Sequence, residues 1–112
     1  MSTSSIKSVI HTFEPQSSTN DYVVCGDIIE SKAALFMSFT CIYGTAAMRI
    51  KFEGADKSDF SDAFVLVAEA DRENQVGSYV TNPAAYAYYR LMIKSKVLNV
   101  PGIATLSYCA KG

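Results

Sequence analysis

The chain has 112 residues, 49% of them hydrophobic and 19% charged, and its 10 basic and 11 acidic side chains leave a net charge of −1. That length supplies one core, because two domains would each be too small to hold together alone. The charges are scattered in ones and twos and no apolar run approaches the ~20 residues of a membrane-crossing helix, so neither nucleic acid nor a membrane is an expected partner.

The opening stretch MSTSSIKSVIHTFEP is polar and lacks the apolar segment of a secretory leader, which predicts synthesis in the cytosol. Met1 to Ser8 is rich in Ser and Thr and has little to bury, so it reads as a flexible N-terminal arm ahead of a single domain over residues 9–112. An arm of this kind can also act as a docking strap. Ser4, Ile6 and the adjoining Val9 are its contact candidates.

Val9 to Phe13 is a first short strand, closed by Pro15 and the turn-forming run QSSTND. Tyr22 to Ile29 has strong β propensity, interrupted by Gly26 and Asp27 in a way that predicts a bulge or a close approach of backbones. From Ala33 to Tyr43 the chain alternates, with Leu35, Met37, Phe39 and Cys41 on one side and Phe36, Ser38, Thr40 and Ile42 on the other. Both sides are fairly apolar, which predicts a central strand that is covered on both faces or meets a partner on one.

Tyr43-Gly44-Thr45 reads as a hairpin turn into the next strand, Thr45 to Glu53, where Ala46, Met48, Ile50 and Phe52 share the inward face. A polar loop follows and leads to a return strand, Ala63 to Ala70, whose Val65 and Val67 favour β over helix. Val76 to Val80 is a short strand ended by Pro83. In Tyr86 to Lys94, Tyr89, Leu91 and Ile93 point to the core while Tyr86, Tyr88, Arg90, Met92 and Lys94 point outward; Ile103 to Ala110 closes the chain, with Ala104, Leu106 and Tyr108 on one face. Seven or eight strands parted by polar turns predict an all-β antiparallel sandwich or barrel.

Reactive groups are sparse. His11 is the one histidine, and no nucleophile motif accompanies it; with Cys25, Cys41 and Cys109 it does not make the ligand spacing of a metal site. The three cysteines sit in apolar-rich runs, where a free thiol behaves as a small buried hydrophobe. Glu53, Asp56, Asp59 and Asp62 gather around the central loop, but without the ligand alternation of an EF-hand, so a solvated loop with Asx turns is expected. No catalytic residue, metal or cofactor is expected. The row Tyr86, Tyr88 and Arg90 is the main candidate for a protein interface, since Tyr and Arg are enriched at binding hot spots and Tyr also stacks on sugars.

The stretch SFTCIYGTAAMRIKFEGADKSDFSDAFVLV, followed by VGSYV and AYAYYRLMIK, resembles the small jelly-roll decoration or cement proteins on the outside of tailed-phage capsids. The resemblance runs from Ala33 to Ala110 and rests on Gly44-Thr45, Asp59-Phe60-Ser61, Gly77 and Tyr89-Arg90-Leu91. It implies a jelly-roll sandwich without catalysis, made in the host cytoplasm and carried on the virion. There it would stabilise the capsid by bridging major capsid protein subunits, as a dimer or trimer. The same strand pattern is similar to that of discoidin-like galactose-binding sandwiches, although this chain is shorter and has no Trp. A carbohydrate- or receptor-binding module of a phage tail or fibre, or a tail or connector component, is the alternative.

Overall fold

The computed structural model describes residues 8–32, 34–81 and 86–111, and these are all-β. Ten strands follow in chain order: β1 (Ser8–Thr12), β2 (Gln16–Ser17), β3 (Val23–Val24), β4 (Ile29–Glu30), β5 (Phe36–Tyr43), β6 (Met48–Ala55), β7 (Phe64–Arg72), β8 (Gln75–Thr81), β9 (Tyr88–Ser95) and β10 (Ile103–Lys111). They form two five-stranded antiparallel sheets, one ordered β1-β10-β5-β8 with β2 also on β10, the other β3-β9-β6-β7 with β4 also on β9. If β1 with β2, and β3 with β4, are each read as one interrupted edge strand, the ten become eight. The all-β antiparallel sandwich is as the strand pattern predicted, and the resulting order is that of a jelly roll, the form the resemblance implied.

The two sheets bury what the alternation says they should. Met37, Phe39, Cys41 and Tyr43 from β5, with Ala104 and Leu106 from β10, face Met48, Ile50 and Phe52 from β6 and Tyr89, Leu91 and Ile93 from β9; all are buried. Phe39 meets Phe52 edge-on at 4.9 Å between centroids, and Tyr79 stacks on Phe52 at 5.1 Å, so aromatic contacts bridge the sheets. Removing each large side chain from water contributes roughly 1.5–3 kcal/mol.

β6 and β7 are consecutive and paired, from Met48↔Arg72 to Gly54↔Phe64, with register shifts after Ile50 and after Phe52. This hairpin is the strand, loop and strand expected between Thr45 and Ala70. The turn predicted at Tyr43-Gly44-Thr45 is different in kind. β5 pairs with β10 and β8, whereas β6 pairs with β7 and β9, so the chain there crosses from one sheet to the other. Gly44 suits the crossing because its N–H donates to Ile103 O at 2.8 Å and a Cβ on it would stand 2.8 Å from that same oxygen.

Three boundaries also move. Ser8, assigned to the arm, already pairs with Lys111 in β1. The expected strand Tyr22 to Ile29 is two short pieces, split where Gly26 takes a φ of +76° beside the Phe13 ring, so the close approach is to a side chain. Leu35, placed inward by periodicity, is exposed, because β5 begins only at Phe36.

Candidate interaction surface

Arg90 is where the Tyr/Arg row meets the acidic cluster. β6 and β9 pair Glu53 opposite Arg90, and Arg90 Nε donates to Glu53 Oε1 at 2.8 Å. Glu53 is therefore a strand residue and not a member of the loop, and its carboxylate is almost fully buried with Lys51 Nζ 3.8 Å from its second oxygen. The far side of the Arg90 guanidinium lies over the Phe60 ring at 4.1 Å, a cation–π contact that brings the loop down onto the sheet. Arg90 is thus engaged within its own chain.

The loop itself is built by its carboxylates. Asp62 Oδ2 and Oδ1 accept from the N–H groups of Asp56 and Lys57 at 3.2 and 3.1 Å, and Asp59 Oδ1 accepts from Ser61 N–H at 2.9 Å, the Asx turn expected from composition. That backbone N–H from Ser61 holds the Asp59 carboxyl below its ordinary value. Phe60 takes a φ of 57°, which turns its ring inward to leave it buried. Among the described residues no group of three or more His, Cys, Asp or Glu is arranged to hold a metal ion.

Tyr86 precedes β9 and is half-buried, its ring stacked on Phe64 at 6.0 Å and edge-on to Tyr89 at 6.1 Å. It fills the sandwich edge. Tyr88 is on β9 opposite Glu30 and lines a cleft with His11, Asp27, Lys32 and Tyr108, a lining of mixed charge. His11 itself packs edge-on against Phe13 at 4.5 Å. Val9 is exposed on β1 opposite Ala110, while Ser4 and Ile6 lie outside the described residues.

The outer faces of the two sheets have opposite character. On the β9-β6-β7 side Arg49 lies opposite Lys94 and Asp71, and Asp71 binds Arg49 Nε at 3.2 Å and Lys96 Nζ at 2.6 Å. Those two cations hold the Asp71 carboxyl below its ordinary value, Lys96 foremost. Lys51 and Lys94 stand over the Tyr22 ring at 4.7 and 4.9 Å.

The β1-β10-β5-β8 side carries no such charges. Cross-strand register sets Val76, Ile42 and Thr105 in one row, Ser78, Thr40, Ser107 and Thr12 in the next, and Ser38, Cys109 and Ile10 in a third. Ile103 extends the face at one end, and Phe36, opposite Lys111, closes it at the other. Ile10, Ile42, Val76 and Ile103 are each more than half exposed. Among the described side chains of this face a charge appears only at Lys111, and depletion of charge is the compositional mark of an interface core. The sequence showed the β5 portion of the face as the apolar second side of its alternation. Its extension over three neighbouring strands needed the pairing.

No family model matches this chain, and no curated protein matches it. Among solved structures it is similar to a Bacillus protein described as endospore appendages that form a novel family of disulfide-linked pili. The TM-score is 0.50 at 8% identity, over 98% of this chain and 93% of that one. At that identity the likeness is one of fold.

Proposed function

We propose that this chain is a non-enzymatic structural protein that works in many copies, with the uncharged outer face of the β1-β10-β5-β8 sheet as its contact surface. The observation that carries the reading is the contrast between the two faces. Ser, Thr and exposed aliphatic side chains cover one, and ion pairs cover the other. Four strands about 4.8 Å apart and about eight residues long give on the order of 500 Å² per copy, or about 1,000 Å² when two such faces meet. That is the lower limit for a stable pair contact, so repetition over many copies adds what one contact lacks.

Two arrangements use this surface. In the one implied by the sequence resemblance, copies sit on the outside of a tailed-phage capsid and bridge major capsid protein subunits. In the second, favoured by the whole-length fold likeness to the Bacillus appendage protein, copies pack on one another in a fibre.

The test is to examine the purified chain by size-exclusion chromatography and negative-stain electron microscopy, alone and mixed with empty phage shells. Saturable shell binding at hundreds of copies supports decoration, and fibres or closed oligomers of the chain alone support self-assembly. A chain that stays monomeric, leaves shells bare and instead binds glycans overturns the proposal in favour of a receptor-binding module.

A further inference from the structure

Two thiols meet in the middle of the sandwich. Cys25 follows β3 at the edge of one sheet, where its N–H donates to Leu91 O of β9 at 2.7 Å. Its Sγ reaches across the core to within 3.8 Å of Ala104 O on β10, in the opposite sheet. Cys41 stands on that sheet's inner face in β5, opposite Leu106, which is the next inward residue of β10 after Ala104. Cys25 and Cys41 are both completely buried and belong to one core cluster, Cys25 reaching into it from one sheet and Cys41 from the other. Cys109 is elsewhere: it pairs with Ser38 and Ile10 on the outer face of the sheet.

We propose that Cys25 and Cys41 form a cross-sheet disulfide when the chain folds in the presence of a small-molecule disulfide oxidant. One of the two thiolates attacks one sulfur of the oxidant, forming a mixed disulfide and expelling one small thiolate. The other protein thiolate then attacks the protein sulfur of that mixed disulfide and expels the second. Two protein thiols are oxidised to one disulfide, one small disulfide is reduced to two thiols, and the protons lost by the cysteines end on the expelled thiolates.

Because both thiols are completely buried in the finished sandwich, the exchange with the oxidant takes place before the core closes. The bond would also tie down a weak edge, since β3 contributes only Val23 and Val24 to the ladder with β9. It would join this short piece to β5, which lies in the interior of the other sheet.

The experiment refolds the full chain with mixed oxidised and reduced glutathione, alkylates free thiols under denaturing conditions and digests with trypsin, which cuts after Lys32 between the two cysteines. The expected product is about 2 Da lighter than the reduced chain, has one alkylated thiol, at Cys109, and yields a linked Cys25–Cys41 peptide. Its Tm rises on the order of 10 °C over the reduced protein. Cys109→Ser keeps the mass loss and the Tm rise, whereas Cys41→Ser abolishes both. Three alkylated thiols after oxidative refolding, or a linked peptide containing Cys109, overturn the proposal, and the Cys109→Ser variant still answers the question if the core variant does not fold.

Discussion

Glu53 and Arg90 form a cross-strand ion pair on the outer side of the second sheet, 2.8 Å from Nε to Oε1, with the carboxylate almost fully buried and the Phe60 ring packed on the guanidinium. One arginine thereby neutralises a buried acid and anchors a loop. Arg90→Ala leaves Glu53 with only Lys51 at 3.8 Å, and the expected cost is about 2 kcal/mol, below the range for a fully enclosed pair because Arg90 keeps some solvent contact. Urea denaturation measures it. Arg90→Lys should recover part of the loss, since it restores the charge without the planar stacking on Phe60. Complete recovery by Lys would show that the Phe60 contact contributes nothing.

Gly26 and Phe13 form a second such pair. A Cβ at Gly26 would lie 2.6 Å from Phe13 Cδ2, and the φ of +76° is strained for any L side chain. Gly26→Ala is expected to destabilise by roughly 2–4 kcal/mol, summing backbone strain and overpacking. In a double-mutant cycle Phe13→Ala should remove the steric part and leave the conformational part of about 1 kcal/mol. Strict additivity of the two substitutions would contradict the contact.

The buried phenols predict a pH dependence. Tyr43 Oη and Tyr79 Oη are hydrogen-bonded at 2.5 Å, and burial pushes both phenols above their ordinary value of 10.0. A group whose folded value is raised stabilises the fold fully below its unfolded value and loses that contribution as pH climbs above it. Stability should therefore be level near neutrality and fall above about pH 10, with the ultraviolet signal of these tyrosinates appearing together with unfolding. Tyr43→Phe should reduce the alkaline slope while costing about 1 kcal/mol at neutral pH, because it removes the Tyr43–Tyr79 hydrogen bond. An unchanged slope would place the sensitivity elsewhere.

The contact surface is tested at Ile42, which lies between Val76 and Thr105 in its cross-strand row and is more than half exposed. Ile42→Asp is expected to leave the monomer's stability within about 0.5 kcal/mol, as for surface substitutions generally. It should abolish shell binding or self-assembly by placing a charge in an uncharged contact. Lys94→Asp on the opposite sheet face is the control and should leave assembly intact. If both variants assemble normally, the uncharged face is not the interface.

Much of this was legible along the chain. Strand alternation placed Met48, Ile50, Phe52, Tyr89, Leu91, Ile93, Ala104 and Leu106 in the core, where they are buried, because a period of two depends only on which face a strand buries. The β6–β7 hairpin was visible too, since its polar loop is local chemistry. The sheet crossing at Gly44 was not, because a tight turn looks the same in sequence whether its strands pair or part. Glu53 read as a loop acid for a related reason: its partner Arg90 lies 37 residues on and meets it only through the β6–β9 ladder. The uncharged face also needed register to bring Ile10, Ile42 and Val76 together, as did the meeting of Cys25 with Cys41. The sequence by itself determined which residues each strand turns inward, through local periodicity. The tertiary structure alone decided which strands are neighbours, and with that the ion pair, the thiol pair and the contact face, because each is made by residues that only long-range pairing brings together.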